Sequence, residues 1–181
     1  MTRIVAGAAG GRRLAVPPKG TRPTSDRVRE ALFSAVESAV DLSAARVLDL
    51  YAGTGALGLE ALSRGAGFAL FVESAPAALA VLRKNITAVG LPGEVRAGKV
   101  AAVLASGTAS PFDLVFLDPP YAVTDLSGEL RALVSGGWVG PDSVVIVERS
   151  RRAGAVVWPE PLVELRVKHY GETSLYWARV A

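Results

Sequence analysis

The 181-residue sequence predicts an α/β domain built on a doubly wound, mostly parallel seven-stranded sheet, with an antiparallel hairpin at its carboxyl end and a small β-hairpin extension at its amino end. Three observations carry that prediction. From Arg46 onward, strand-like apolar runs alternate with segments of helical periodicity, the order that winds a parallel sheet with helices on both faces. The last two strand-like runs are separated only by residues 170–173, too few for a crossover helix, so they pair as antiparallel neighbours. A chain of this length buries roughly 70% of the surface that its unfolded form exposes, so a single domain needs no disulfide or metal to hold it.

The elements follow in order. Residues 3–6 and 12–16 read as two short strands joined through Gly7, Gly10 and Gly11, and Pro17, Pro18, Gly20 and Pro23 make an extended linker. Residues 1–23 are thus expected to form an extension and residues 24–181 the main domain. Thr24 or Ser25 caps the next helix, with Asp26 in its first turn. Its apolar face is Val28, Ala31, Leu32, Ala35, Val36 and Ala39, and its other face presents Arg27, Glu30, Ser34 and Glu37. Strands are expected at residues 47–50, 68–73, 94–97, 113–118, 144–148, 162–169 and 174–180, with helical segments between the first five.

Composition narrows the chemistry. The sequence has no cysteine and one histidine, which removes thiolate chemistry and disulfides and argues against a metal site. That histidine, His169, lies in a strand-like stretch and is expected to be structural or at the surface. No apolar run approaches the ~20 residues of a membrane span and no signal-peptide pattern opens the chain, so a cytoplasmic location is expected. The net charge of +3 is unevenly spread. Residues 1–29 carry seven basic side chains against Asp26 alone, a net of +6, which leaves −3 for the rest. Six of the seven are arginines, the better phosphate ligands, so a nucleic-acid contact is favoured over a merely solvated tail.

Two motifs carry the functional reading. Asp118-Pro119-Pro120-Tyr121 directly follows the apolar run Leu114-Val115-Phe116-Leu117. It sets a carboxylate, a turn that cannot rejoin a sheet and an aromatic ring at the carboxyl end of a buried strand, where open α/β sheets carry ligands. Upstream, Asp49-Leu50-Tyr51-Ala52-Gly53-Thr54-Gly55-Ala56-Leu57-Gly58 follows the first strand of the sheet and opens a helix. Gly53, Gly55 and Gly58 spell G-x-G-x-x-G, which alone also fits a nicotinamide or flavin protein. Asp49 shifts the balance, because a carboxylate there suits an ammonium group better than a pyrophosphate. Glu73, at the end of the second strand, is placed to accept from both hydroxyls of a ribose. Ammonium, ribose and a switch-point pocket together describe S-adenosylmethionine, with Asp49, Tyr51, Gly53, Thr54, Gly55 and Glu73 as its candidate ligands.

On these residues the chain resembles the class I, Rossmann-like methyltransferases, and Asp118-Pro119-Pro120-Tyr121 resembles the (D/N)PP(Y/F) motif of those that methylate exocyclic amino groups of nucleobases. The lone pair of such an amino group is delocalised into the ring. Acceptors at the Asp118 carboxylate and the Pro119 carbonyl would hold its hydrogens and return the lone pair to nitrogen, and Tyr121 would stack on the base. Arg3-Ile4-Val5-Ala6-Gly7, Arg12-Arg13-Leu14 and residues 22–33 further resemble the amino-terminal signature of the bacterial RsmD family, which methylates N2 of a guanine in 16S ribosomal RNA. The expected substrate is 16S RNA within the 30S subunit or an assembly intermediate, and a monomer is expected. The resemblance also implies that Arg22, Thr24, Arg27 and Arg29 line the RNA side of the active site, and the charge of the arm adds Arg3, Arg12 and Arg13 to the expected RNA-binding set. Arg149, Arg151 and Arg152 either extend that surface or form a solvated loop. The chain departs from the methyltransferase pattern in one place: Ala97-Gly98-Lys99-Val100 stands where an acidic residue often meets the adenine amino group. The rival readings are an adenine-N6 methyltransferase, a nicotinamide-dependent oxidoreductase and an RNA-binding protein with a degenerate methyltransferase fold.

Overall fold

The computed structural model describes residues 2–18 and 25–181. Two short strands, β1 (Thr2–Arg3) and β2 (Arg13–Leu14), pair antiparallel and precede helix α1 (Asp26–Ala39). Then come β3 (Arg46–Leu50), α2 (Ala56–Ser63), β4 (Phe68–Glu73), α3 (Pro76–Val89), β5 (Gly93–Ala97), α4 (Val100–Ala105), β6 (Phe112–Leu117) and α5 (Ser127–Ser135). The chain closes with β7 (Val139–Ser150), β8 (Leu162–Tyr170) and β9 (Thr173–Val180). None of the described helices is long and apolar enough to cross a membrane.

The main sheet has seven strands in the order β5-β4-β3-β6-β7-β9-β8. Strands β3 to β7 run parallel, and β9 and then β8 join antiparallel at one end, as the short 170–173 connection requires. The chain leaves β3 toward β4 and β5, then returns to β3's other side with β6, so the order reverses between β3 and β6. That reversal opens a crevice at the carboxyl ends of these two strands.

Strand alternation sends Val47, Ala69, Phe71, Leu114, Phe116 and Ile146 to the face covered by α1, α2 and α3, and Leu48, Leu70, Val115 and Val147 to the face covered by α4 and α5. Helix α1 follows from its sequence: Ser25 caps it by accepting from the Val28 amide at 3.2 Å, Asp26 lies in its first turn, and Leu32, Phe33 and Val36 are buried. Helix α2 is buried nearly all round, from Leu57 through Ser63. A helix with no polar face needs a cover on its outer side. The amino-terminal arm supplies it, with Ile4 and Leu14 entering the same core as α1 and α2.

Two expectations need adjustment. The arm pairs over fewer residues than 3–6 and 12–16: the Ile4 amide still reaches the Arg12 carbonyl at 2.9 Å, but those of Val5 and Ala6 go to the Glu60 carboxylate at 2.8 and 3.1 Å, and that of Ala15 to Asn85 Oδ1 at 2.8 Å. The fourth and fifth strands of the sheet are 112–117 and 139–150 instead of 113–118 and 144–148. A register shift between Phe112 and Leu114 and a positive φ of 66° at Asp142 carry the longer strand around an irregularity that apolar periodicity does not encode. Asp118 consequently lies one residue past its strand, although its amide still reaches the Leu50 carbonyl at 3.4 Å.

Candidate active site

The crevice is lined by carboxylates held in place by backbone. Asp49 is buried in β3 at 1% exposure, and its Oδ2 accepts from the Gly58 amide at 3.0 Å. Burial pushes its pKa up to about 8; the Gly58 bond opposes the rise and the charges of Glu73 and Glu148 add to it. A buried carboxylate in this state favours a cationic partner, which would restore its ionised form.

The turn from β3 into α2 bends through left-handed backbone. Tyr51 has φ +58°, Gly53 +58° and Gly55 +84°. The three glycines of the motif do different work. A Cβ on Gly53 would meet nothing within 4 Å, so this stretch of backbone is open to a ligand. One on Gly55 would come within 2.6 Å of Leu82 Cδ1, and one on Gly58 within 2.3 Å of the Phe71 ring and 3.1 Å of Asp49 Oδ2. Gly58 therefore lets α2 approach close enough to hold Asp49.

Glu73, at the end of β4, closes the turn from the other side. Its Oε1 accepts from the Gly53 amide at 2.8 Å, and its Oε2 from the amides of Ser74 and Ala75, both at 2.9 Å. Both acceptor directions of Oε2 are thus taken, and Oε1 keeps one further direction. Thr54 is buried; its hydroxyl accepts from the Ala56 amide at 3.3 Å and its carbonyl from Asn85 Nδ2 at 2.9 Å. The Tyr51 hydroxyl points to α5, donating to Glu129 Oε1 at 3.3 Å, and burial together with that carboxylate pushes its pKa up to about 12.

Across the crevice, burial raises the pKa of Asp118 well above the usual carboxylate range, and the charges of Glu148 and Asp49 add to the rise. Pro119 is buried, the Pro120 carbonyl accepts from the Val123 amide at 2.9 Å, and Tyr121 stands out of the turn at 75% exposure. Arg149 Nη2 fastens the segment after this turn, donating to the carbonyls of Thr124 at 2.9 Å and Ala153 at 3.0 Å. Asp49, Glu73, Asp118 and Tyr121, far apart in sequence, thus share one edge of the sheet.

The arginines do not share one surface. Arg3, Arg13 and Arg27 are exposed, and Arg3 pairs with Asp26 at 2.9 Å. Arg12 is exposed and donates to the Ala88 carbonyl in the last turn of α3, at the amino edge of the sheet, away from the crevice. Arg29 overturns its assignment to an RNA-binding set. It is 0% exposed and is held by the Arg3 carbonyl, Asp26 at 2.7 Å and the buried Glu60 at 3.6 Å, so its charge is spent inside the fold. Arg22 and Thr24 lie outside the described residues. Arg151 and Arg152 are exposed, and His169 sits at the surface with its Nδ1 2.6 Å from the Ser174 hydroxyl.

Sequence reasoning missed Asn85. Its only signal is position: it follows Ala78 and Leu82 on the buried stripe of α3, where an amide is out of place unless it bonds to backbone.

Comparison with known proteins gives one consistent picture. The family model described as conserved hypothetical protein 95 matches residues 2–179. The chain is 37% identical over 160 residues to the ribosomal RNA small subunit methyltransferase D of Escherichia coli strain K12, covering 87% of this chain and 79% of that protein. Among solved structures it is similar to a hypothetical protein of Thermus thermophilus, with a TM-score of 0.82 and 33% identity over 98% of both chains. It shares its fold with an RNA methyltransferase from Salinibacter ruber solved in complex with S-adenosyl-L-homocysteine, with a TM-score of 0.64 and 18% identity over 88% of this chain and 94% of that one.

Proposed function

The chain belongs to the conserved hypothetical protein 95 (RsmD) family, and from that membership we propose that it is a methyltransferase that moves the methyl group of S-adenosylmethionine to the exocyclic N2 of a guanine in 16S ribosomal RNA. The observation that carries the reading is Asp118-Pro119-Pro120-Tyr121 at the carboxyl end of β6, beside Asp49 at the switch point.

The residues fit the cofactor. Asp49 takes the ammonium, the remaining acceptor direction of Glu73 Oε1 takes a ribose hydroxyl, and the open backbone at Gly53 admits the ligand. When bound, S-adenosylmethionine supplies an electrophilic methyl on a sulfonium. Carboxyls raised by burial and mutual repulsion suit a ligand bearing ammonium and sulfonium charges, since each positive charge favours their ionised forms.

Asp118 and the Pro119 carbonyl accept the two N2 hydrogens and aim the lone pair at the methyl carbon. The N–C bond would form as the C–S bond breaks, leaving S-adenosylhomocysteine, and the methylated N2 would release its proton to the Asp118 carboxylate, whose raised pKa suits it to take one. Tyr121, exposed on its turn, stacks on the base once it has left its own stack.

The same reading makes the protein a cytoplasmic monomer whose substrate is the RNA within the 30S subunit or an assembly intermediate, where the shape of the particle supplies the specificity that a small basic surface does not. Asp118→Ala is expected to abolish turnover while S-adenosylhomocysteine still binds within a few-fold of wild type by calorimetry. Equal loss of binding would move Asp118 into the cofactor site and overturn its assignment to the substrate.

A further inference from the structure

The buried side chain of Asn85 joins two parts of the molecule that the proposed reaction uses separately. Its Oδ1 accepts from the Ala15 amide at 2.8 Å, and its Nδ2 donates to the Ala15 carbonyl at 3.0 Å and to the Thr54 carbonyl at 2.9 Å. Toward the arm the carboxamide mimics a strand neighbour, satisfying both polar backbone groups of one residue. Toward the site it holds the carbonyl of the residue between Gly53 and Gly55. The side chain is 2% exposed, so water cannot replace these bonds without opening the packing.

We infer that Asn85 is a positioning residue that makes the base of the arm part of the cofactor pocket, so that cofactor binding and the docking of the arm form one coupled equilibrium. The inference rests on the proposed cofactor site. The turn around Thr54 runs through left-handed backbone whose amides are bonded by Glu73, the Ala52 carbonyl and the Thr54 hydroxyl, and Asn85 holds the Thr54 carbonyl between them. When Ala15 leaves Asn85, the amide loses two of its three partners and its hold on Thr54 loosens. A cofactor that binds the ordered turn therefore favours the docked arm, and a docked arm raises cofactor affinity by the same factor. Because the arm carries Arg3, Arg12 and Arg13, this coupling connects the basic segment to the cofactor without any contact between them.

Two variants approach the link from opposite sides. Asn85→Asp keeps the size and the acceptor for the Ala15 amide but removes the donor to both carbonyls. Ala15→Pro removes the arm's donor and leaves Asn85 intact. S-adenosylhomocysteine is titrated into each full-length protein by calorimetry, and hydrogen exchange of the segment 2–18 is followed with and without it. Each variant is expected to bind about ten-fold more weakly than wild type, the scale of one net hydrogen bond. The ligand is expected to slow exchange of the arm in wild type and not in the variants. Should Asn85→Asp fail to fold, Ala15→Pro carries the test alone. Wild-type affinity in Ala15→Pro, or arm exchange in wild type that ignores the ligand, would overturn the coupling. Failure of wild type to bind S-adenosylhomocysteine would instead overturn the cofactor reading beneath it.

Discussion

Asp49 has two opposed jobs, and pH separates them. Its ordinary pKa is about 3.9 and its folded value about 8, so between those limits the folded protein holds a proton that the unfolded chain gives up. Its contribution to stability is therefore greatest below pH ~4 and is lost as pH rises to about 8. Asp49→Asn is expected to melt higher than wild type at pH 8, with the difference shrinking toward pH 4–5, and to lose most cofactor affinity. The ammonium needs the ionised form, so S-adenosylhomocysteine binding to wild type at pH 7 should release a proton, seen as a binding enthalpy that varies with the buffer's ionisation enthalpy. A binding enthalpy independent of buffer would contradict the assignment of Asp49 to a cation. Asp49, Glu73, Asp118 and Tyr121 were legible in the sequence because each sits at the end of a strand whose apolar run marks the edge. Asn85 and the interior place of Arg29 were not, since a polar side chain reads as surface until the fold shows what covers it.

At the scale of elements, the decisive contact is between the arm and α2. Glu60 is buried, yet it accepts from the amides of Val5 and Ala6 and from Arg64 Nε at 2.9 Å, with Arg29 Nε at 3.6 Å. It ties the arm, α1 and α2 together through one carboxylate. Glu60→Ala leaves two arginines without their buried partner, and a loss of about 3–5 kcal/mol is expected in denaturant unfolding. Hydrogen exchange at Val5 and Ala6 should rise with it. A loss under 1 kcal/mol would mean that water replaces the carboxylate. Except for β7, which starts five residues and ends two residues beyond its expected bounds, the strands of the sheet could be read to within a residue at each end, the central parallel ones because they are continuous apolar runs buried on both faces. The arm could not, because its amides bond to Glu60 and Asn85, side chains 54 to 70 residues away, and local pattern cannot foresee such partners.

For the whole molecule, the exposed arginines and the buried one make different predictions about RNA. Arg13→Ala and Arg27→Ala should each weaken binding to 16S RNA and lower the slope of log affinity against log salt by about one, with the melting temperature unchanged. Arg29→Ala should lower the melting temperature instead. An unchanged salt slope for both exposed variants would place the RNA elsewhere. The charge asymmetry legible in the sequence is thus divided by the fold into a surface share and an internal share. The central claim is tested most directly by methyl transfer from labelled S-adenosylmethionine to 30S particles and naked 16S RNA from cells lacking the activity, with the modified nucleoside identified by mass spectrometry. N2-methylguanosine, formed by the wild-type protein and not by Asp118→Ala, is the predicted result; N6-methyladenosine, or no transfer from a protein that binds the cofactor, would contradict it.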